Sequence, residues 1–188
     1  MKKIMTLSTA ALALIGAYSS SALAADTAKP VTEALKELSH YQSEEARIAK
    51  NLETFDTLDF EVFSGQKWDR LHESHAKDIV VHWPDGHSTN GIDRHIEDLK
   101  AFFVFAPDTK IDKHPVRIGQ GEWTGVVGEI AGTFTEPMPI GNGQFIQPTG
   151  KAYKLTMATI GHWTKDGIMD EEYLFWDNDA FYKQIGLR

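Results

Sequence analysis

The chain has 188 residues, of which 41% are hydrophobic and 24% charged, with no cysteine and a formal net charge of −8. That length and apolar content suffice for one domain with one sizeable core. Having no cysteine excludes thiol catalysis, disulfides and thiolate-ligated metals together. An acidic surface without a basic, aromatic-interleaved cluster argues against a nucleic-acid partner.

Residues 1–24 carry a secretory-signal pattern, with Lys2 and Lys3, an apolar run through Leu12 and Ile15, and the cleavage motif Ala22-Leu23-Ala24. The apolar run is too short for a permanent spanning helix, and no later stretch is long and apolar enough. Cleavage between Ala24 and Ala25 is expected to give a periplasmic or secreted protein with no membrane partner. Losing Lys2 and Lys3 moves the formal charge from −8 to −10.

Residues 25–30 read as a flexible leader. From Val31 the apolar residues Leu35, Leu38, Tyr41, Ile48, Leu52 and Phe55 follow helical spacing, interrupted on the stripe by Glu45. A helix packed on its own domain and a coiled-coil seam both fit this spacing; Tyr and Glu in the seam favour the first. A break near Ser43 divides a leader and early helix (25–43) from a domain at 44–188.

Residues 58–63 form a connector, and a second helix is expected from Ser64 or Gly65 to Ala76, burying Trp68, Leu71 and His75. A short strand at 79–83 stops at the turn Pro84-Asp85-Gly86. A third helix spans about 91–105, with Ile92, Ile96, Leu99 and Phe103 inward. Strands follow at 116–118, 123–136 and 151–163, with 137–149 as a Pro/Gly-rich loop. In the second of these, Val126, Gly128, Ile130, Gly132 and Phe134 share a face, and the glycines suit a bent sheet or one leaving room against its face. Helices first and a mostly antiparallel sheet afterwards make an α+β fold, a cone whose strongly curved sheet carries the three N-terminal helices on its concave face.

The turn Asp166-Gly167 starts the last strand. Alternation puts Met169, Glu171, Tyr173, Phe175 and Asp177 on one face, and Ile168, Asp170, Glu172, Leu174 and Trp176 on the other. The first set is an apolar wall ending in an acid, which suggests a pocket with a base. The plainer reading is a half-buried strand whose Asp177 caps the segment after it. Trp83, Phe102, Phe103, Phe134, Phe175 and Trp176 are ligand walls or plain core; since Phe175 and Trp176 point opposite ways, Phe175 is the expected wall. About six residues of strand, roughly 20 Å, separate Glu171 from Asp177, too far for a glycosidase pair at about 5–9.5 Å.

His72, His75, His82 and His87 cluster in sequence, and His72 and His75 share a helix face. With no H-E-x-x-H pattern, the expectation is a packed His75, solvated His72 and His87, and no metal.

Several segments together resemble a SnoaL-like polyketide cyclase (ester cyclase) domain of the nuclear transport factor 2-like superfamily. They are Asp78-Ile79-Val80-Val81-His82-Trp83-Pro84; Gly91 with Ile96, then Phe105-Ala106-Pro107-Asp108; Gly132-Thr133-Phe134-Thr135; Pro148-Thr149-Gly150-Lys151; Asp166 to Glu171 with Tyr173 and Asp177; and Gln184-Ile185-Gly186. The resemblance covers roughly 44–186. It implies a general base at Asp177 for intramolecular aldol closure without metal or cofactor, and a homodimer through the outer sheet face. Two departures stand out. Phe134 replaces a histidine found in many members, and Ile168 and Tyr173 replace the usual Lys and Trp. A carboxylate in an apolar cavity is a reasonable base, because lost solvation raises its pKa. His82, His162 and the Tyr173 hydroxyl are the candidate donors to the enolate. Tyr173, Phe175, Met169, Phe134, Phe103 and Trp83 are the candidate substrate-binding residues. The expected function is cofactor-free cyclase, isomerase or lyase chemistry on a small apolar carbonyl compound. The alternative is a non-catalytic binding protein using the same cavity. Export sits poorly with polyketide closure, whose substrates are made in the cytoplasm.

Overall fold

The computed structural model describes residues 20–188, with side chains from Pro30 onward. Most of the signal-peptide reading therefore lies outside the described residues. Helix α1 spans Ser20–Thr57 and runs through Pro30 and Ser43, so residues 25–30 are helical rather than a flexible leader and no break occurs at Ser43. The chain divides into two units, one ending at Tyr41 and the other Gln42–Arg188. In the first, Val31, Leu35, Leu38 and Tyr41 stay exposed, contrary to the expectation that this stripe packs. In the second, the same helix buries Asn51 and Phe55 and packs Leu52 on the core.

At Thr57 the helix widens into a π-helical turn, Leu58–Phe63, where a plain connector was expected. The turn buries Leu58, Asp59, Val62 and Phe63 together on one face. Ser64 Oγ fixes its end by accepting from the Ile111 N–H at 2.8 Å and lying 2.6 Å from the Asp59 carbonyl. The expected second helix is only a 3₁₀ stretch, Trp68–Glu73. It stops where the backbone N–H and the hydroxyl of Ser74 both donate to the Leu71 carbonyl at 3.2 Å. The chain then enters strand β1, His75–His82, so His75 belongs to a strand.

Strand β2 is Ser88–Asn90 and helix α2 is Ile92–Phe105. Then come β3 (Lys110–Ile111), β4 (Val116–Gln120) and β5 (Trp123–Thr133). The expected loop contains a small hairpin, β6 (Met138–Pro139) and β7 (Phe145–Ile146). Strands β8 (Ala152–Trp163) and β9 (Met169–Phe175) and helix α3 (Asn178–Gln184) complete the fold. The main sheet runs β2-β1-β9-β8-β5-β3, with β4 also on β5. Among the described residues, β1 and β9 pair in parallel and the other pairings of this sheet are antiparallel. This is the expected α+β layout, a curved, unclosed sheet preceded by helices.

Along β5 the inward row is Thr124, Val126, Gly128, Ile130 and Gly132, alternating strictly with partly exposed neighbours. Helix α2 turns His95, Leu99, Phe103 and Phe105 inward. Aromatic edges lock that helix to the turn before it: Phe103 lies 5.1 Å from Phe63 and 5.6 Å from Trp68, ring centre to ring centre.

Candidate functional site

Strand β9 alternates as expected, but with the opposite face inside. Glu172 and Leu174 are buried, whereas Glu171 and Tyr173 are only partly covered and Phe175 is 49% exposed. The cause is local. Trp163 pairs with Met169 and His162 with Glu171, so a bulge after Met169 shifts the strand by one residue. Met169 is fully buried under Gly161 and shares no face with Glu171.

A small apolar hollow, about 40 Å³, lies on the inner face, walled by Trp83, Phe102, Ile130, Met157, Leu174 and Trp176 among others. A larger hollow beside it, about 170 Å³, shares Phe102, Ile130, Met157 and Trp176 with the first. Four ionisable side chains reach the first: Asp59, His75, His95 and Glu172. All four are buried. Their elements are distinct: the π-helical turn, β1, α2 and β9.

His95 Nε2 lies 3.3 Å from Glu172 Oε2, and His75 Nε2 lies 3.8 Å from the same oxygen. The two imidazole rings are 5.2 Å apart. Burial pushes the His95 imidazole down to about 4, so it is neutral near pH 7. Burial alone would raise Glu172, but His75 and His95 beside it more than offset this and hold its carboxyl below the usual range.

Asp59 goes the other way. Desolvation by the apolar wall raises its carboxyl, partly countered by a hydrogen bond from His114 and reinforced by the Glu172 charge. His114 Nε2 lies 2.7 Å from Asp59 Oδ2, and its Nδ1 lies 2.7 Å from Asp56 Oδ1. A ring with a carboxylate on each nitrogen donates from both, as an imidazolium. Burial alone would lower that imidazole; the two aspartates reverse the sign and raise it. Asp56 in turn meets Arg117 at 3.2 Å, so the chain of contacts runs from a part-exposed carboxylate to the hollow.

The residues picked out in the sequence land in several places. Trp83 lies in the wall of the hollow, its indole N–H donating to Thr89 at 2.9 Å. Asp177 is exposed and does not line the hollow; its Oδ1 accepts from the Ala180 N–H at 3.0 Å as the N-cap of α3. The plainer reading of that aspartate thus describes its geometry. His82, Tyr173 and His162 occupy the opposite sheet face. His82 stacks on Tyr173 at 4.1 Å and meets Glu171 at 2.9 Å, and His162 meets Asp170 at 2.6 Å. Phe175 points outward, while Phe103, Phe134 and Met169 are core residues that do not line the hollow. His72 and His87 are exposed.

Asp59, His95, His114 and Glu172 were not singled out from the sequence. His95 carried a usable signal, since it falls on the buried stripe of α2, four residues before Leu99. Glu172 is the acid in the row that holds Leu174 and Trp176.

A sequence profile described as SnoaL-like polyketide cyclase matches residues 56–185. No curated protein matches the sequence. Among solved structures, a candidate SnoaL-like polyketide cyclase from Jannaschia sp. CCS1 is similar at a TM-score of 0.64 and 20% identity, covering 74% of this chain and 94% of that one. IdmH, a candidate polyketide cyclase from Streptomyces antibioticus, is similar at 0.61 and 21% identity, covering 72% and 98%. A third, a candidate polyketide cyclase from Acidithiobacillus ferrooxidans, scores 0.60 at 18% identity, covering 75% and 95%. At these identities the structural likeness speaks for the fold.

Proposed function

We propose, for a chain that belongs to the SnoaL-like polyketide cyclase family, acid–base chemistry on a small apolar carbonyl compound held across the two adjoining hollows. Asp59 is the base, in place of Asp177. The observation that carries this reading is a carboxylate sealed among apolar side chains, hydrogen-bonded to His114 at 2.7 Å and opening on the same hollow as Glu172. Asp59 is raised and Glu172 lowered from ordinary carboxylate values. Environments that push two carboxylates apart mark a division of labour between them.

The step follows from the placement. Asp59 takes the proton α to the carbonyl, and the C–H electron pair becomes the enolate double bond as the carbonyl pair moves onto oxygen. The charge on that oxygen is met by an N–H of the neutral His95 imidazole, which lines the same hollow. The enolate carbon then attacks a second carbonyl, expels a β-leaving group or regains a proton elsewhere, giving closure, elimination or isomerisation. His114 and Asp56 hold Asp59 in place, and the proton on Asp59 returns to the product, at the alkoxide, the leaving group or a carbon. No redox or group-transfer cofactor is needed. The N-terminal signal pattern suits action outside the cytoplasm on a compound met there.

The test needs no natural substrate. Exchange of the α-protons of 2-tetralone into deuterium oxide, followed by NMR, should be accelerated by the protein. Asp59→Asn should lose roughly 100-fold or more of that acceleration. Binding seen by quenched fluorescence of Trp83 and Trp176, with no exchange in the wild type, would instead establish a carrier that uses the same hollow.

A further inference from the structure

The Ser74 hydroxyl donates to the Leu71 carbonyl at 3.2 Å and lies 2.8 Å from His75 Nδ1. A hydroxyl has one proton to give. With that proton on Leu71, His75 Nδ1 carries the ring hydrogen and donates it to Ser74 Oγ. The lone pair of His75 is then on Nε2, facing Glu172 Oε2 at 3.8 Å. Among the described residues neither atom has a hydrogen-bond partner, and both are sealed from solvent. His95 Nε2 approaches the same oxygen at 3.3 Å.

Two electron-rich atoms facing each other in an apolar interior repel unless a positive centre lies between them. A proton would draw nitrogen and oxygen to about 2.7–2.9 Å, much closer than the 3.8 Å observed. A metal ion with bonds of about 2.0–2.2 Å separates its ligand atoms by about 3.3–3.5 Å in tetrahedral geometry. The ligand atoms of His75, His95 and Glu172 all lie within 4.8 Å of one another, so small side-chain adjustments close the site.

We propose that His75 Nε2, His95 Nε2 and Glu172 Oε2 bind one divalent transition-metal ion, with a fourth position open to the hollow. Two imidazoles and a carboxylate suit zinc or ferrous iron rather than magnesium or calcium, which prefer all-oxygen sets. Three protein ligands and an open position are the pattern of catalytic rather than structural sites. Ser74 is the outer partner that fixes the tautomer and the angle of the His75 ring. His95 Nδ1 has no such partner, so its ring is held by packing, including Trp83 at 6.0 Å. The site does not depend on the proposed reaction, since metal binding is measured without turnover.

The full chain, stripped with a chelator, is titrated with zinc against a chromophoric competitor. One equivalent should bind. Glu172→Gln and His95→Gln should each weaken binding at least tenfold, and Ser74→Ala by about 10–100-fold. His82→Ala and His162→Ala, on the outer face, should leave it unchanged. Cobalt(II) added to the wild type should give visible d–d bands, a readout that requires no variant to fold. Substoichiometric zinc with no cobalt bands would overturn the proposal. Binding that survives Glu172→Gln but is lost with His82→Ala or His162→Ala would overturn it as well.

Discussion

His114 Nε2 donates to Asp59 Oδ2 at 2.7 Å, which places a cation directly behind the buried carboxylate of the hollow. The His114 imidazole is raised above its ordinary value because Asp59 and Asp56 outweigh its burial. A raised histidine contributes stability that is complete below its unfolded value, about pH 6.5. That contribution disappears as pH rises through the folded value. Thermal melts of the wild type should therefore lose stability on going from about pH 6 to pH 9. His114→Gln should flatten this dependence. Its side chain is only 1% exposed, so removing it leaves Asp59 without its buried partner and should cost roughly 3 kcal/mol at pH 6. An unchanged slope in the variant would mean that His114 is not the group titrating.

Asp177 is a cap, and its substitution should behave as one. Asp177→Ala removes the acceptor of the Ala180 N–H and should lower stability by about 1 kcal/mol. Asp177→Asn, still an acceptor, should change it by only a few tenths. Chemical denaturation of both variants checks the difference. Equal losses would show that the charge, rather than the hydrogen bond, matters there.

The glycines of β5 make room for side chains that cross the inner face. A Cβ on Gly132 would lie 2.8 Å from the Tyr153 hydroxyl and 2.9 Å from Thr109 Oγ1. Those two oxygens are hydrogen-bonded to each other at 2.7 Å in the core. Gly132→Ala should therefore destabilise by about 1–3 kcal/mol through overpacking. Gly121→Ala makes a control with space around it, although its φ of +58° adds local strain. A melt of Gly132→Ala matching the wild type would show that Tyr153 can shift freely.

Much of the fold was legible in local pattern. Alternation along β5 gave the inward row Val126, Gly128, Ile130 and Gly132, and the spacing of Leu99 and Phe103 gave the buried side of α2. The site was harder to read, for physical reasons. Both rows of β9 carry large apolar residues, Tyr173 and Phe175 against Leu174 and Trp176. Alternation separates such rows but cannot say which one the helices cover. The bulge after Met169 then detached that residue from the row it was assigned to. Asp59 was hidden because residues 58–63 read as a connector, although it continues the buried stripe four residues after Phe55. Glu172 was passed over because an acid in a strand is usually solvated, and only the two buried imidazoles beside it make its burial tolerable.

The central claim is that the reacting acid lies in the inner hollow rather than at the end of β9. The most direct measurement is α-proton exchange of 2-tetralone by the matched pair Asp59→Asn and Asp177→Asn, at equal folded concentration. The predicted result is loss of roughly 100-fold or more in the first, with wild-type exchange retained in the second. Exchange that survives Asp59→Asn and collapses in Asp177→Asn would contradict the account.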